Sequence, residues 1–252
     1  MALTSNISPP LAFTQAGPRE KNEDSIFPAQ DQVTERDHLF IVCDGVGGAL
    51  KGELASQTAT TSFAAYLAVQ PPGTEIGSDY LNAGLRYVEQ QFDALFTEQF
   101  LLKGMATTLV MLLLPPGGGA TLAHVGDSRA YQVRAGRILF QTADHSLVGD
   151  LVRSGQLALA DAAAHPQKNV INRAIQGGHK PAALDITSLT DVQPGDYFFL
   201  CSDGVWECIT DEEIAHCLGQ PELSNAEKMT WLQHRCAEGA RDNYSGYLIQ
   251  IL

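Results

Sequence analysis

No apolar stretch in this chain approaches membrane-spanning length: the run Leu109 to Leu114 stops at Pro115-Pro116. The first residues place no basic stretch before a long apolar one, so no export signal is expected and the chain reads as a soluble cytoplasmic protein without membrane contact. Cysteine is sparse and unpatterned. The five, Cys43, Cys201, Cys208, Cys217 and Cys236, show neither Cys-x-x-Cys pairing nor a disulfide rhythm, which suits a reducing compartment. Positive charge is scarce too: 16 Lys and Arg stand against 29 Asp and Glu, and a formal charge of -13 argues against nucleic acid or an anionic bilayer as a partner. Repeats, low-complexity tails and linker-like shifts of composition are absent, so the 252 residues are expected to form one domain, 1–252, around one substantial core.

Other chemistries are missing as well. Gly117-Gly118-Gly119-Ala120 leads into no Gly-Lys-Ser/Thr, which excludes a P-loop, and no segment combines the alternating acids, glycine and distant glutamate of a helix-loop-helix calcium site. Cys236 to Arg241 is one residue short of the cysteine-phosphatase loop and Cys236 falls in a helical pattern, so no thiol nucleophile is expected. Gly126-Asp127-Ser128 matches a tripeptide of some esterases, but no C-terminal Asp-x-x-His partner follows it.

What is present begins with strand-length segments at Leu39–Cys43, Met105–Leu114, Ala120–Val125, Ala130–Val133, Arg137–Gln141, Tyr197–Cys201 and Tyr247–Leu252. Arg134-Ala135-Gly136-Arg137 reads as a hairpin connection and Pro71-Pro72-Gly73 as a turn. Helical periodicity covers Glu53–Val69, Ser78–Leu101, Ser146–Ser154, Asp211–Leu218 and Asn225–Glu238, with Thr210 placed to cap the fourth of these. Short turns link most strands and the long helices come in pairs. That arrangement favours an α+β class, antiparallel sheets flanked by helices, over a βαβ repeat.

The acids carry the chemistry. Asp44-Gly45-Val46-Gly47-Gly48 follows the apolar run Leu39–Cys43, and Cys201-Ser202-Asp203-Gly204 repeats the arrangement at the end of a second run. A buried strand ending in a carboxylate and then glycine can present its side chain and the next carbonyl to a hard cation, because no bulky neighbour blocks the approach. With Asn22-Glu23-Asp24 near the start and Asp242-Asn243 near the end, an acidic cluster gathered from distant segments is expected. Such a cluster is costly in like-charge repulsion unless metal fills it.

In order, Arg19-x-x-Asn22-Glu23-Asp24, Asp44-Gly45-Val46-Gly47-Gly48, Ala106-Thr107-Thr108, Gly126-Asp127-Ser128-Arg129, Asp144-His145-Ser146, Ser202-Asp203-Gly204 and Asp242-Asn243 form one series. From about Gly17 to Ile251 the chain resembles the metal-dependent serine/threonine protein phosphatases of the PP2C family, in their compact bacterial form. The resemblance implies a central β-sandwich of two antiparallel sheets with helices on both sides (α-β-β-α). It implies Mn²⁺ or Mg²⁺ as cofactor: Asp44 bridging two ions, Asp203 and Asp242 completing one site, the Gly45 carbonyl helping the other, and Asp127 with Asp203 holding a weaker third ion. Glu23 and Asp24 would hold metal-bound waters, and Arg19 would bind phosphate. Asp127 has a second reading from its own sequence, as the side chain that closes a tight turn. Where animal members carry a histidine, this chain has Val46, which cannot donate a proton. His145 reads as a structural hydrogen-bonder, while His165, in the flap segment at about 149–173, is a candidate to touch substrate. The implied partners are phosphorylated proteins and a cognate Ser/Thr kinase, and the chain is expected to act as a monomer.

Overall fold

The computed structural model describes residues 6–46, 49–69, 76–162 and 165–252. Gly47-Gly48 of the first acidic motif and the turn at Pro71-Pro72-Gly73 lie outside the described residues. One antiparallel sheet is ordered β1 (Leu11–Gln15), β11 (Tyr244–Gln250), β10 (Tyr197–Cys201), β7 (Arg129–Arg134) and β8 (Arg137–Gln141). A second is ordered β2 (Asp24–Phe27), β3 (Leu39–Val46), β5 (Leu109–Leu113), β6 (Ala120–Val125) and β9 (Asp185–Leu189), with β4 (Ala106–Thr107) paired to the end of β3.

The strands read as near-continuous apolar runs because both faces of each sheet are covered. Alternation assigns the two faces. Phe40 and Val42 of β3 and Val110 and Leu112 of β5 meet Phe198 and Leu200 of β10 and Tyr247 and Ile249 of β11 between the sheets. The intervening Ile41, Cys43, Leu109 and Met111 face outward onto α1 (Ala49–Ala68) and α2 (Ser78–Glu98), through Ala55, Ala59, Phe63, Leu81, Leu85 and Phe92. On the other side Phe199 and Cys201 pack on α6 (Asp211–Leu218) and α7 (Asn225–Gly239), through Ile214, Leu218, Leu232 and Cys236. The order of layers is therefore helix, sheet, sheet, helix, as expected.

Local chemistry sets the boundaries. Thr210 and Ser224 each cap a helix with a reciprocal glutamate, Glu213 and Glu227, which satisfies two otherwise orphaned donors at each end. Ala135 and Gly136 both take positive φ, the geometry a two-residue hairpin needs to match strand twist. The expected strand Met105–Leu114 breaks at Thr108, whose hydroxyl accepts from the Asp44 N–H at 3.0 Å instead of facing a sheet surface. The last strand starts at Tyr244, three residues earlier than its hydropathy suggests, so Asp242-Asn243 abuts it directly.

Candidate active site

Antiparallel pairing places the acids. β3, β6 and β10 finish at one end of the sandwich, and β2, β5, β7 and β11 begin there, since Asp24 lies opposite Asp44, Leu109 opposite Val125, and Cys201 opposite both Arg129 and Gly246. Asp44 lies two residues before the end of β3, Asp127 sits between β6 and β7, Asp203 opens the short helix α5 (Asp203–Trp206), and Asp242 precedes β11. Asp44, Asp127, Asp203, Asp242 and Glu23 line one cleft of about 530 Å³, and Asp24 lies buried beside it.

Neutral side chains hold these acids in place. Thr107 Oγ1 donates to the Asp44 carbonyl at 2.8 Å, and Thr108 and Ser128 join hydroxyls at 2.7 Å. Ser202 donates to Asp24 Oδ2 at 2.7 Å, and Asn243 Oδ1 accepts the Glu23 N–H at 2.8 Å. Gly52, in the first turn of α1, was not visible as a site residue. A Cβ there would lie 2.0 Å from Glu23 Oε2 and 2.7 Å from the Gly45 carbonyl oxygen, so the two oxygens face the same small space. A glycine early in a helix costs helix stability, and close packing of this kind is what compensates.

Burial dominates the electrostatics. It pushes Asp24 up to about 7, Asp127 to about 8 and Asp203 to about 6, with neighbouring carboxylates adding to each shift. Asp44 is raised well above its ordinary value, by burial and then by Asp203, Asp24 and Asp127. Glu23 also rises, through burial and then Asp242. Asp24 Oδ1 and Asp203 Oδ1 are buried and make no hydrogen bond. Among the described residues the one Lys or Arg ion pair to any of these six acids is Arg19 with Asp242, at 2.7 Å. Buried oxygens without donors, in a set made wholly of carboxylate and carbonyl groups, fit hard divalent cations.

No three of the acids bring their oxygens within 4.8 Å of one another. The trio that does so among the described residues is His124, His145 and Asp185. Its rings stack at 4.5 Å and 15°, so their in-plane lone pairs run side by side and do not converge on an ion. His145 Nδ1 accepts the Gly126 N–H at 3.1 Å and its Nε2 faces Asp185 at 3.0 Å, the structural part expected of it.

His165 is not brought to the cleft. Its Nδ1 accepts the N–H of Gln167 at 3.2 Å, closing its own turn, and the segment lines the cleft through Asn169 and Ile171. These two residues carried no titratable signal in the sequence.

Residues 19–236 match the model of the family described as Protein phosphatase 2C. The chain belongs to the protein phosphatase 2C family. It is 33% identical to the serine/threonine protein phosphatase PstP of Mycobacterium tuberculosis over 82% of this chain, which spans 38% of the length of PstP. The crystal structure of the serine/threonine phosphatase Stp1 from Staphylococcus aureus superposes with a TM-score of 0.86 at 30% identity, covering 100% of this chain and 98% of that one. The catalytic domain of PstP in complex with two manganese ions matches at a TM-score of 0.79 and 29% identity, over 98% of this chain and 99% of that one. The sandwich and its flanking helices are thus those of the protein phosphatase 2C fold.

Proposed function

We propose that this chain hydrolyses phosphoserine and phosphothreonine in proteins, with Mn²⁺ or Mg²⁺. The observation that carries the reading is the gathering of five acids from distant segments along one cleft, with Asp24 buried beside it and two buried carboxylate oxygens lacking any donor. Asp44, Asp203, Asp242 and the Gly45 carbonyl would hold two ions, Asp127 with Asp203 a weaker third, while Glu23 and Asp24 would act through bound solvent. Such ions supply Lewis acidity toward phosphoryl oxygens and lower the pKa of solvent, so that a nucleophile exists at neutral pH.

The chain's own groups do the rest. Thr107 and Thr108 fix the backbone of Asp44 from both its N–H and its carbonyl, so the carboxylate is oriented before anything binds. Arg19, at the rim, offers a planar fork for two phosphoryl oxygens. No imidazole lines the cleft among the described residues, and Val46 occupies its wall, so no histidine of the cleft supplies the proton for the departing serine or threonine oxygen. Asn169 and Ile171, from the flap, meet the polypeptide around the phosphorylated residue.

A Ser/Thr kinase as opponent, a single monomeric domain and a cytoplasmic setting belong to the same proposal, and no helix among the described residues is long and apolar enough to cross a membrane. The test is phosphate release from a phosphothreonine peptide. Turnover should require Mn²⁺, stop with EDTA, and show a KM raised roughly tenfold by Arg19→Ala with a smaller effect on kcat. No release from any phosphopeptide at saturating Mn²⁺ would end the proposal.

A further inference from the structure

Arg19 is exposed at the rim, yet its guanidinium is already engaged by its own chain. The loop that carries it is stapled to the start of β11: Asn243 Nδ2 donates to the carbonyls of Ala16 and Lys21, both at 2.8 Å, and the Arg19 N–H donates to Ala16 O at 3.2 Å. Gly17, at φ +58°, lies so close to this strand that a Cβ would sit 2.4 Å from the Asp242 carbonyl oxygen. Only glycine tolerates both the conformation and the contact. The outcome is a guanidinium turned back onto Asp242, with Nη2 2.7 Å from Oδ2 and Nε donating to the Arg241 carbonyl at 3.3 Å. The other Asp242 oxygen accepts the Asn243 N–H at 2.8 Å.

One contact therefore joins the carboxylate assigned to a metal ion and the cation assigned to phosphate. A charged donor 2.7 Å from that oxygen already neutralises part of its charge and repels a second cation brought to the same carboxylate, so the two oppose one another. We propose that Arg19 is an internal counter-ion that occupies Asp242 until a divalent ion displaces it. The released guanidinium then turns to the phosphoryl group, so metal loading precedes phosphate engagement. This rests on the phosphatase reading, and Lys21 supplies its control. Lys21 carries the same charge on the same cleft but reaches only Glu53, at 3.9 Å.

Calorimetric titration of the metal-free protein with Mg²⁺ tests the proposal without any turnover. Arg19→Gln should bind Mg²⁺ about fivefold more tightly than wild type, the worth of one exposed ion pair, and Lys21→Gln should stay within about twofold. Equal tightening in both variants would mean a general field effect, and unchanged or weaker binding in Arg19→Gln would mean no competition; each overturns the proposal. If no variant binds Mg²⁺, the phosphatase reading falls with it. In the wild-type protein the Arg19 Nε–H resonance should move as Mg²⁺ is added and move again with inorganic phosphate. A resonance that ignores Mg²⁺ would likewise refute the displacement.

Discussion

The two ends of the sandwich bury carboxylates in opposite ways. At the far end Asp196, fully buried before β10, accepts from Arg134 at 2.5 Å, Gln132 at 2.8 Å and the Gln193 N–H at 3.0 Å. Burial alone would raise its pKa, but Arg134, the Gln193 N–H and Gln132 bring it below the usual carboxylate range. At the cleft end Asp24 and Asp127 are also buried and Asp203 is half-buried, yet all are pushed up to about 6 or higher, and two oxygens have no donor at all. Burial of an acid is thus not a functional signal by itself. Burial of a carboxylate oxygen without a donor is the more informative feature, because such a group is costly unless a ligand, solvent or a reaction uses it.

The comparison is broken most directly by neutralising one acid at each end. Asp203→Asn should lower kcat/KM by about a thousandfold, in line with the several kcal/mol a bound cation contributes, while the metal-free protein melts no lower than wild type because a repulsive charge is gone. Asp196→Asn should do the reverse. It leaves Arg134 without its buried partner and should cost about 3 kcal/mol in urea unfolding, with turnover per folded molecule unchanged. Equal effects of both substitutions on activity and stability would erase the distinction.

A smaller effect should follow Gly52→Ala. The added methyl meets Glu23 Oε2 and the Gly45 carbonyl, so Mn²⁺ affinity should weaken about tenfold or more although alanine is the better helix former. Tighter or unchanged Mn²⁺ binding in calorimetry would show that this space is not used.

The smallest effect is on pH dependence, and its sign differs between the ends. A carboxyl whose folded pKa is raised stabilises the fold fully below its unfolded value, about 4, and that contribution is lost as pH rises through the folded pKa. For Asp203, Asp24 and Asp127 those folded values are about 6, 7 and 8, so the Tm of metal-free protein should fall from pH 5 to pH 8 and recover more with Mg²⁺ at pH 8 than at pH 5. Asp196, with its folded pKa depressed, contributes stability above about 4 that is lost only in acid. A metal-free Tm that is flat or rising from pH 5 to pH 8 would show that the cleft acids are not held as described.

Much of the site was legible because its acids sit where a change of hydropathy marks a strand end. Asp44 and Asp203 each close an apolar run, and Asp242 is followed by one. What the sequence hid was spatial. Gly52 matters only through what faces it, and Asn243 only through the carbonyls of Ala16 and Lys21 on a loop more than two hundred residues away. β1, β2 and β9 went unread because they are short and mix polar with apolar residues, as in Asp185–Leu189 at its sheet edge. His165 drew attention as a titratable group in the right segment, yet a local backbone donor claims its ring. The break at Thr108 escaped notice since threonine is ordinary in strands, and only the partner, Asp44, reveals its use.

Anomalous diffraction at the manganese edge, from crystals soaked in Mn²⁺, tests the central claim most directly. At least two strong peaks should appear in the cleft, within ligand distance of Asp44, Asp203 and Asp242 and of the Gly45 carbonyl. A cleft without anomalous signal at saturating Mn²⁺, with any peaks bound only elsewhere, would contradict this.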